Sequence, residues 1–127
     1  MERDSSVVIL VADDEEVVRR FLCAVLQRHD YHLLIAKDGV EALTLARKYN
    51  GHIDLLLSDI DMPALNGIEL ARQLSAERPA MRILLMSGTP DHVPPASYSF
   101  LEKPFTLQML ASTIHEVLEG APADGTR

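Results

Sequence analysis

The sequence predicts an α/β fold, a doubly wound five-stranded parallel sheet with helices on both faces. Three observations predict it. Short apolar runs recur at 7–12, 32–36, 54–58, 82–86 and 98–101. Several of these runs are continuous rather than alternating, as suits strands buried on both faces. Segments with a helical period lie between most of them, and short strand–helix repeats build a parallel sheet clothed by helices.

Val7-Val-Ile-Leu-Val-Ala12 is rich in β-branched residues and reads as a buried first strand, ended by Asp13-Asp14. Val17, Val18, Phe21, Leu22, Val25 and Leu26 then recur at helical spacing, with Glu15, Glu16, Arg19, Arg20, Gln27 and Arg28 on the other side. Acids at the start and a base at the end suit the helix macrodipole. The run 32–36 is the second strand, and Asp38-Gly39 reads as a turn. A helix through Ala42, Leu43 and Ala46 stops near Asn50-Gly51. The third strand, 54–58, is closed by Asp59, and a loop runs from Met62 to Gly67. Asn66 with Glu69 three residues on resembles a capping box, before a helix carrying Ile68, Leu70, Ala71 and Leu74. The runs 82–86 and 98–101 are strands four and five. The last helix carries Leu107, Leu110, Ala111, Ile114, Val117 and Leu118, with Thr106 as N-cap and Gly120 just past its end. Five strands in this rhythm suit the flavodoxin-like order 2-1-3-4-5, whose ligand site lies beyond the carboxyl ends of the strands, at the switch point between strands 1 and 3.

Composition narrows the function. The 127 residues make one domain, expected over 1–119, with a flexible tail at 120–127. Hydrophobic content of 47% excludes disorder over the whole length. No apolar run approaches the ~18 residues of a membrane span, and the first six residues lack the form of a signal peptide. The single cysteine, Cys23, allows no internal disulfide and reads as a small core residue. These features point to the cytoplasm. The net charge of −7 repels phosphate backbones, and tryptophan is absent, so direct nucleic-acid binding is not expected. The five histidines lack ligand spacing and read as surface or edge residues.

The predicted topology gathers polar residues at one rim. Strand 1 ends in Asp13-Asp14 and strand 3 in Asp59, which would be neighbours. Ser87 ends strand 4, and Lys103 follows strand 5. Clustered carboxylates repel unless a cation intervenes, and oxygen-only ligands suit a hard cation such as Mg2+. A carboxylate nucleophile beside a metal, a lysine and a hydroxyl donor has what forming an acyl phosphate requires.

This constellation resembles the receiver domain of two-component response regulators. The matching stretches are Leu10-Val-Ala-Asp-Asp-Glu15, Asp38-Gly-Val-Glu-Ala-Leu43, Ser58-Asp-Ile-Asp-Met-Pro63 with Gly67, Leu84-Leu-Met-Ser-Gly88 and Phe100-Leu-Glu-Lys-Pro-Phe105. They fall in family order and cover nearly the whole chain. The resemblance implies a phosphorelay function, with Asp59 accepting a phosphoryl group from a sensor histidine kinase or a histidine phosphotransfer protein. It implies Mg2+ (or Mn2+) held by Asp14, Asp59 and the backbone carbonyl of Asp61, with Asp13 acting mainly through water. It implies that Lys103 bridges to the phosphoryl group, that Ser87 moves to bond it, and that Phe100 swings inward as Ser87 moves. It further implies a cis peptide between Lys103 and Pro104. Such a domain switches binding of a downstream partner and is no stand-alone enzyme, although it assists its own phosphorylation and dephosphorylation. Asp61 and Thr89 stand at positions that vary in the family, flanking the path of the hydrolytic water, and are expected to set the phosphate lifetime.

The sequence also departs from the pattern. Only Asp91-His-Val-Pro-Pro-Ala-Ser97 is left for the fourth helix, between strands 4 and 5, and Pro94-Pro95 interrupts it. That helix is expected to be short or missing, so partners would instead use the first helix and the loop after Lys103. Two other readings compete. Asp59-Ile-Asp61 resembles the Asp-x-Asp motif of haloacid-dehalogenase-like phosphatases, although the chain is short for that fold and Asp13-Asp14 is left unexplained. A silent interaction module on the same fold is the other. The initial Met favours a separate protein, and the final helix resembles receivers that end hybrid kinases.

Overall fold

The computed structural model describes residues 6–89 and 94–120. The chain runs β1 (Val8–Ala12), α1 (Glu16–Gln27), β2 (His32–Ala36), α2 (Gly39–Lys48), β3 (Leu55–Asp59), α3 (Gly67–Glu77), β4 (Arg82–Ser87), β5 (Ser99–Glu102) and α4 (Leu107–Glu119). All strands are parallel, in the order β2-β1-β3-β4-β5. β2 matches the sequence expectation, and the ends of the other strands differ from it by at most one residue. The helix between β4 and β5, expected to be short or missing, does not occur among the described residues, where the Tyr98 N–H donates to the Pro95 carbonyl in a turn before β5. Residues 90–93 of that connection, and 121–127 of the expected tail, lie outside the described residues.

Side-chain alternation in the strands splits the core into two layers. Leu10, Leu56, Ile83 and Leu85 meet Ala42 and Ala46 of α2 and Leu70, Ala71 and Leu74 of α3. Ile9, Val11, Leu55, Leu57, Leu84 and Met86 meet Leu22, Val25 and Leu26 of α1 and Leu110 and Ile114 of α4. The central strands are apolar through their middles, with Ser58, Asp59 and Ser87 at their carboxyl ends, because each face has its own helices. β2 and β5 are the edge strands, and Ile35 of β2 is exposed.

The caps explain where the helices begin. Asp38, expected in a turn, is the N-cap of α2, and its Oδ1 accepts from the Glu41 N–H at 2.8 Å. Asn66 caps α3 and Thr106 caps α4 in the same way, through the Glu69 and Met109 N–H groups. Glu69 does not complete a capping box, since its carboxylate turns to Arg72 and Gln73. α1 lacks a side-chain cap, and its apolar stripe is narrower than the sequence pattern suggests. Val17 is exposed, Phe21 is partly so and Cys23 is half-buried rather than core. Leu22, Val25 and Leu26 carry the packing.

One arginine ties the lower edge together. Arg78, the C-cap of α3, donates to the carbonyls of Ala46 and Tyr49, both at 2.9 Å, and of Gly51 at 2.8 Å. It thereby satisfies backbone acceptors at the end of α2. Arg78→Ala leaves them to water and is expected to cost about 2 kcal/mol, read as a lower urea midpoint with an unchanged slope.

Candidate functional site

The carboxyl ends of β1, β3 and β4 form one rim, because the parallel sheet points all its strands the same way. Asp13 follows β1 and is completely buried, while Asp14 beside it is exposed. The Asp13 N–H donates to the Ala36 carbonyl at 3.3 Å, and its Oδ1 accepts from the Glu15 N–H at 2.9 Å. Asp59 ends β3 with 4% of its surface exposed. Carboxylate oxygens of Asp13, Asp14 and Asp59 all lie within 4.8 Å of one another.

Lys103 enters this cluster from the residue after β5. Its Nζ lies 3.1 Å from Asp59 Oδ1, 3.3 Å from Asp13 Oδ2 and 3.9 Å from Glu15 Oε1. Its own N–H donates to the Ser87 carbonyl at 2.9 Å, extending the β4–β5 ladder by one bond. The Lys103–Pro104 peptide is cis. Ser87, 1% exposed, donates its hydroxyl to Asp61 Oδ2 at 2.8 Å and accepts from the Thr89 N–H at 3.0 Å. Thr89 itself is exposed. Phe100 lies on β5, half-buried against the layer that holds α2 and α3.

Burial sets the electrostatics. It pushes the Asp59 carboxyl up to about 6, against the pull of Lys103 and with help from the charge of Asp13. Burial also raises Asp13, opposed by the Glu15 N–H and by Lys103. Burial works against the charge of Lys103, but Asp13 and Asp59 outweigh it and hold the ammonium above its ordinary range. One lysine thus faces Asp13, Asp59 and Glu15, with Asp14 adding a further carboxylate to the cluster. Oxygen donors with this surplus of negative charge fit a hard divalent cation, which takes one or two carboxylates and keeps several waters.

Two participants were not singled out by sequence reasoning. Glu15 was assigned to the polar side of α1, yet it precedes the helix and faces Lys103 at the rim. Arg19 donates from Nη1 to the Asp13 carbonyl at 2.8 Å, tying α1 to the acidic turn. Arg19 falls six residues after Asp13, a spacing that reaches back only once α1 starts at Glu16.

Fold and site together define a doubly wound α/β domain with an acidic, lysine-bridged pocket at the switch point between its first and third strands. The chain belongs to the response regulator receiver domain family, whose pattern matches residues 9–115. It is 35% identical over 119 residues to the response regulator receiver protein CpdR of Brucella abortus (strain 2308), covering 89% of this chain and 98% of that one. It is 35% identical over 120 residues to the sensor kinase CckA of the same organism, covering 90% of this chain but only 13% of the kinase. Among solved structures, the receiver domain of the hybrid histidine kinase CckA superposes with a TM-score of 0.78 at 32% identity, over 88% of this chain and 99% of that one. A response regulator receiver protein from Sinorhizobium medicae WSM419 superposes with a TM-score of 0.81 at 26% identity, over 93% and 98% of the two chains. The chain is therefore a receiver domain, the phosphoacceptor module of two-component signalling. No helix among the described residues is long and apolar enough to cross a membrane.

Proposed function

We propose that Asp59 is the phosphoacceptor of a receiver domain spanning 1–119, acting in the cytoplasm. The observation that carries this reading is the buried Asp59 carboxylate at the switch point, bridged by Lys103 Nζ at 3.1 Å. An Asp59 oxygen attacks the phosphorus of a phosphohistidine on a sensor kinase or phosphotransfer protein. The P–N bond breaks, an O–P bond forms, and the imidazole leaves with a proton. Asp13, Asp14, Asp59 and the backbone carbonyl of Asp61 would hold Mg2+ or Mn2+, Asp13 mainly through water. When bound, such a cation would supply the positive charge that offsets the carboxylates and the incoming phosphoryl group. Lys103 exchanges part of its pairing with Asp59 for a phosphoryl oxygen. Ser87 bonds another, and Phe100 follows it inward by packing.

Phosphoryl donors dock at α1 and the loop after Lys103. Val17 is 81% exposed there, and the Phe21 and Phe105 rings lie with centroids 6.2 Å apart. A downstream protein reads the phosphorylated state, and nucleic acid is not a direct partner of this acidic domain. Asp61 and Thr89, which both hydrogen-bond Ser87, set the lifetime of the acyl phosphate as the domain assists its own dephosphorylation. Asp61→Asn changes the rate at which phosphoryl label is lost; an unchanged rate refutes that role.

Intact mass after incubation with Mg2+ and a small acyl phosphate tests the acceptor assignment. One added phosphoryl group is expected on the parent. None is expected on Asp59→Asn or without metal. An adduct that persists on Asp59→Asn would refute it.

A further inference from the structure

The Ser87 hydroxyl has one proton to give, and Asp61 holds it. Oγ donates to Asp61 Oδ2 at 2.8 Å, a charge-assisted bond from the last residue of β4 to the loop that follows β3. The other acceptor in reach, the Thr89 carbonyl, lies at 3.4 Å and competes poorly. The oxygen also accepts from the Thr89 N–H at 3.0 Å, so the hydroxyl is held from both sides. With 1% of Ser87 exposed, water offers little substitute. The proton that a phosphoryl oxygen on Asp59 would recruit is thus already committed to a carboxylate two residues along the chain.

We propose that Asp61 is a positioning residue that latches the Ser87 hydroxyl in the unphosphorylated domain, so that phosphoryl capture requires transfer of this hydrogen bond from the Asp61 carboxylate to a phosphoryl oxygen. This rests on the phosphoacceptor reading above and adds a resting-state restraint to it. The latch biases the two-state element toward rest. A charge-assisted bond lost on switching lowers affinity for the phosphoryl group by its own free energy. Asp61 also repels an incoming anion simply by its charge, and that effect does not need Ser87.

The two contributions separate in a double-mutant cycle. Affinity for beryllofluoride, a phosphoryl mimic, is measured with excess Mg2+ by calorimetry on the parent, Asp61→Ala, Ser87→Ala and the double variant. Asp61→Ala is expected to tighten binding about tenfold more when Ser87 is present than when it is absent. Equal tightening in both backgrounds overturns the latch and leaves charge alone. Thermal unfolding of the same four proteins in metal-free buffer reads the resting bond directly. The midpoint losses of the two single variants are expected to exceed, when added, that of the double variant. Strict additivity overturns the latch. A parent that binds no beryllofluoride overturns the phosphoacceptor reading itself, and the latch with it.

Discussion

In metal-free protein at pH 8, Asp59→Asn is expected to be more stable than the parent by on the order of 2 to 3 kcal/mol, and the gap is expected to close by about pH 4. The sign follows from linkage. Burial first, then the charge of Asp13, hold the folded Asp59 carboxyl at about 6 against an ordinary 3.8, with Lys103 pulling the other way. The fold therefore prefers the protonated form. The contribution of Asp59 to stability is fully present below 3.8 and is lost as pH rises through about 6. At 4% exposure the carboxylate receives little screening from water. Asparagine keeps the shape, carries no charge, and leaves Lys103 paired with Asp13 at 3.3 Å. Urea midpoints with a chelator at pH 8 and pH 4 check this. A parent as stable as the variant at pH 8 would show that Lys103 fully compensates the buried charge. Restored Mg2+ is expected to raise the midpoint of the parent far more than that of the variant. The group proposed for the chemistry is thus one that the empty fold tolerates at a cost.

Gly67→Ala is expected to cost at least about 3 kcal/mol and to impair phosphoryl uptake in whatever protein remains folded. A β-carbon there would collide with the Asp59 carbonyl oxygen and come within 2.9 Å of the Ile60 α-carbon. Both obstacles are backbone, so no side chain can turn aside. The Gly67 N–H donates to the Ile60 carbonyl at 3.0 Å, which fastens the start of α3 to the end of β3. The loop between them already holds Ala64 at φ 68°, a left-handed conformation that costs an L-residue about 1–2 kcal/mol. Pushing Gly67 away would displace Asp59 relative to Lys103. Chemical denaturation gives the stability, and intact mass with Mg2+ and an acyl phosphate gives the uptake. Wild-type values in both would show that the loop relaxes freely.

Much of this protein is legible in its sequence for a physical reason. Burial on both faces leaves β1, β3 and β4 apolar at nearly every position, so their parallel pairing follows from composition alone. Local hydrogen bonding likewise marks Asn66 and Thr106 as caps. The acidic rim is legible because Asp13, Asp59 and Ser87 each follow or end a strand, and a parallel sheet brings such ends together. The proline pair and the short spacing between Ser87 and Lys103 mark the fourth helix as short or missing. Other features depend on distance and direction in space, and no local pattern encodes them. Phe21 and Val17 share the periodicity of Leu22 and Leu26, but the span of α1 across the sheet leaves them at the surface. Glu15 and Arg19 look like ordinary helix-surface charges until α1 is docked with its first turn beside Asp13. The Ser87–Asp61 bond joins residues 26 apart in sequence, and the pKa of Asp59 reflects how completely its neighbours exclude water. The sheet, its order and the chemistry available at its rim are written in the local pattern, because burial and strand direction act on each segment separately. Only the tertiary structure decided which rim groups hold one another at rest, because hydrogen bonds and desolvation depend on contacts made after the segments meet.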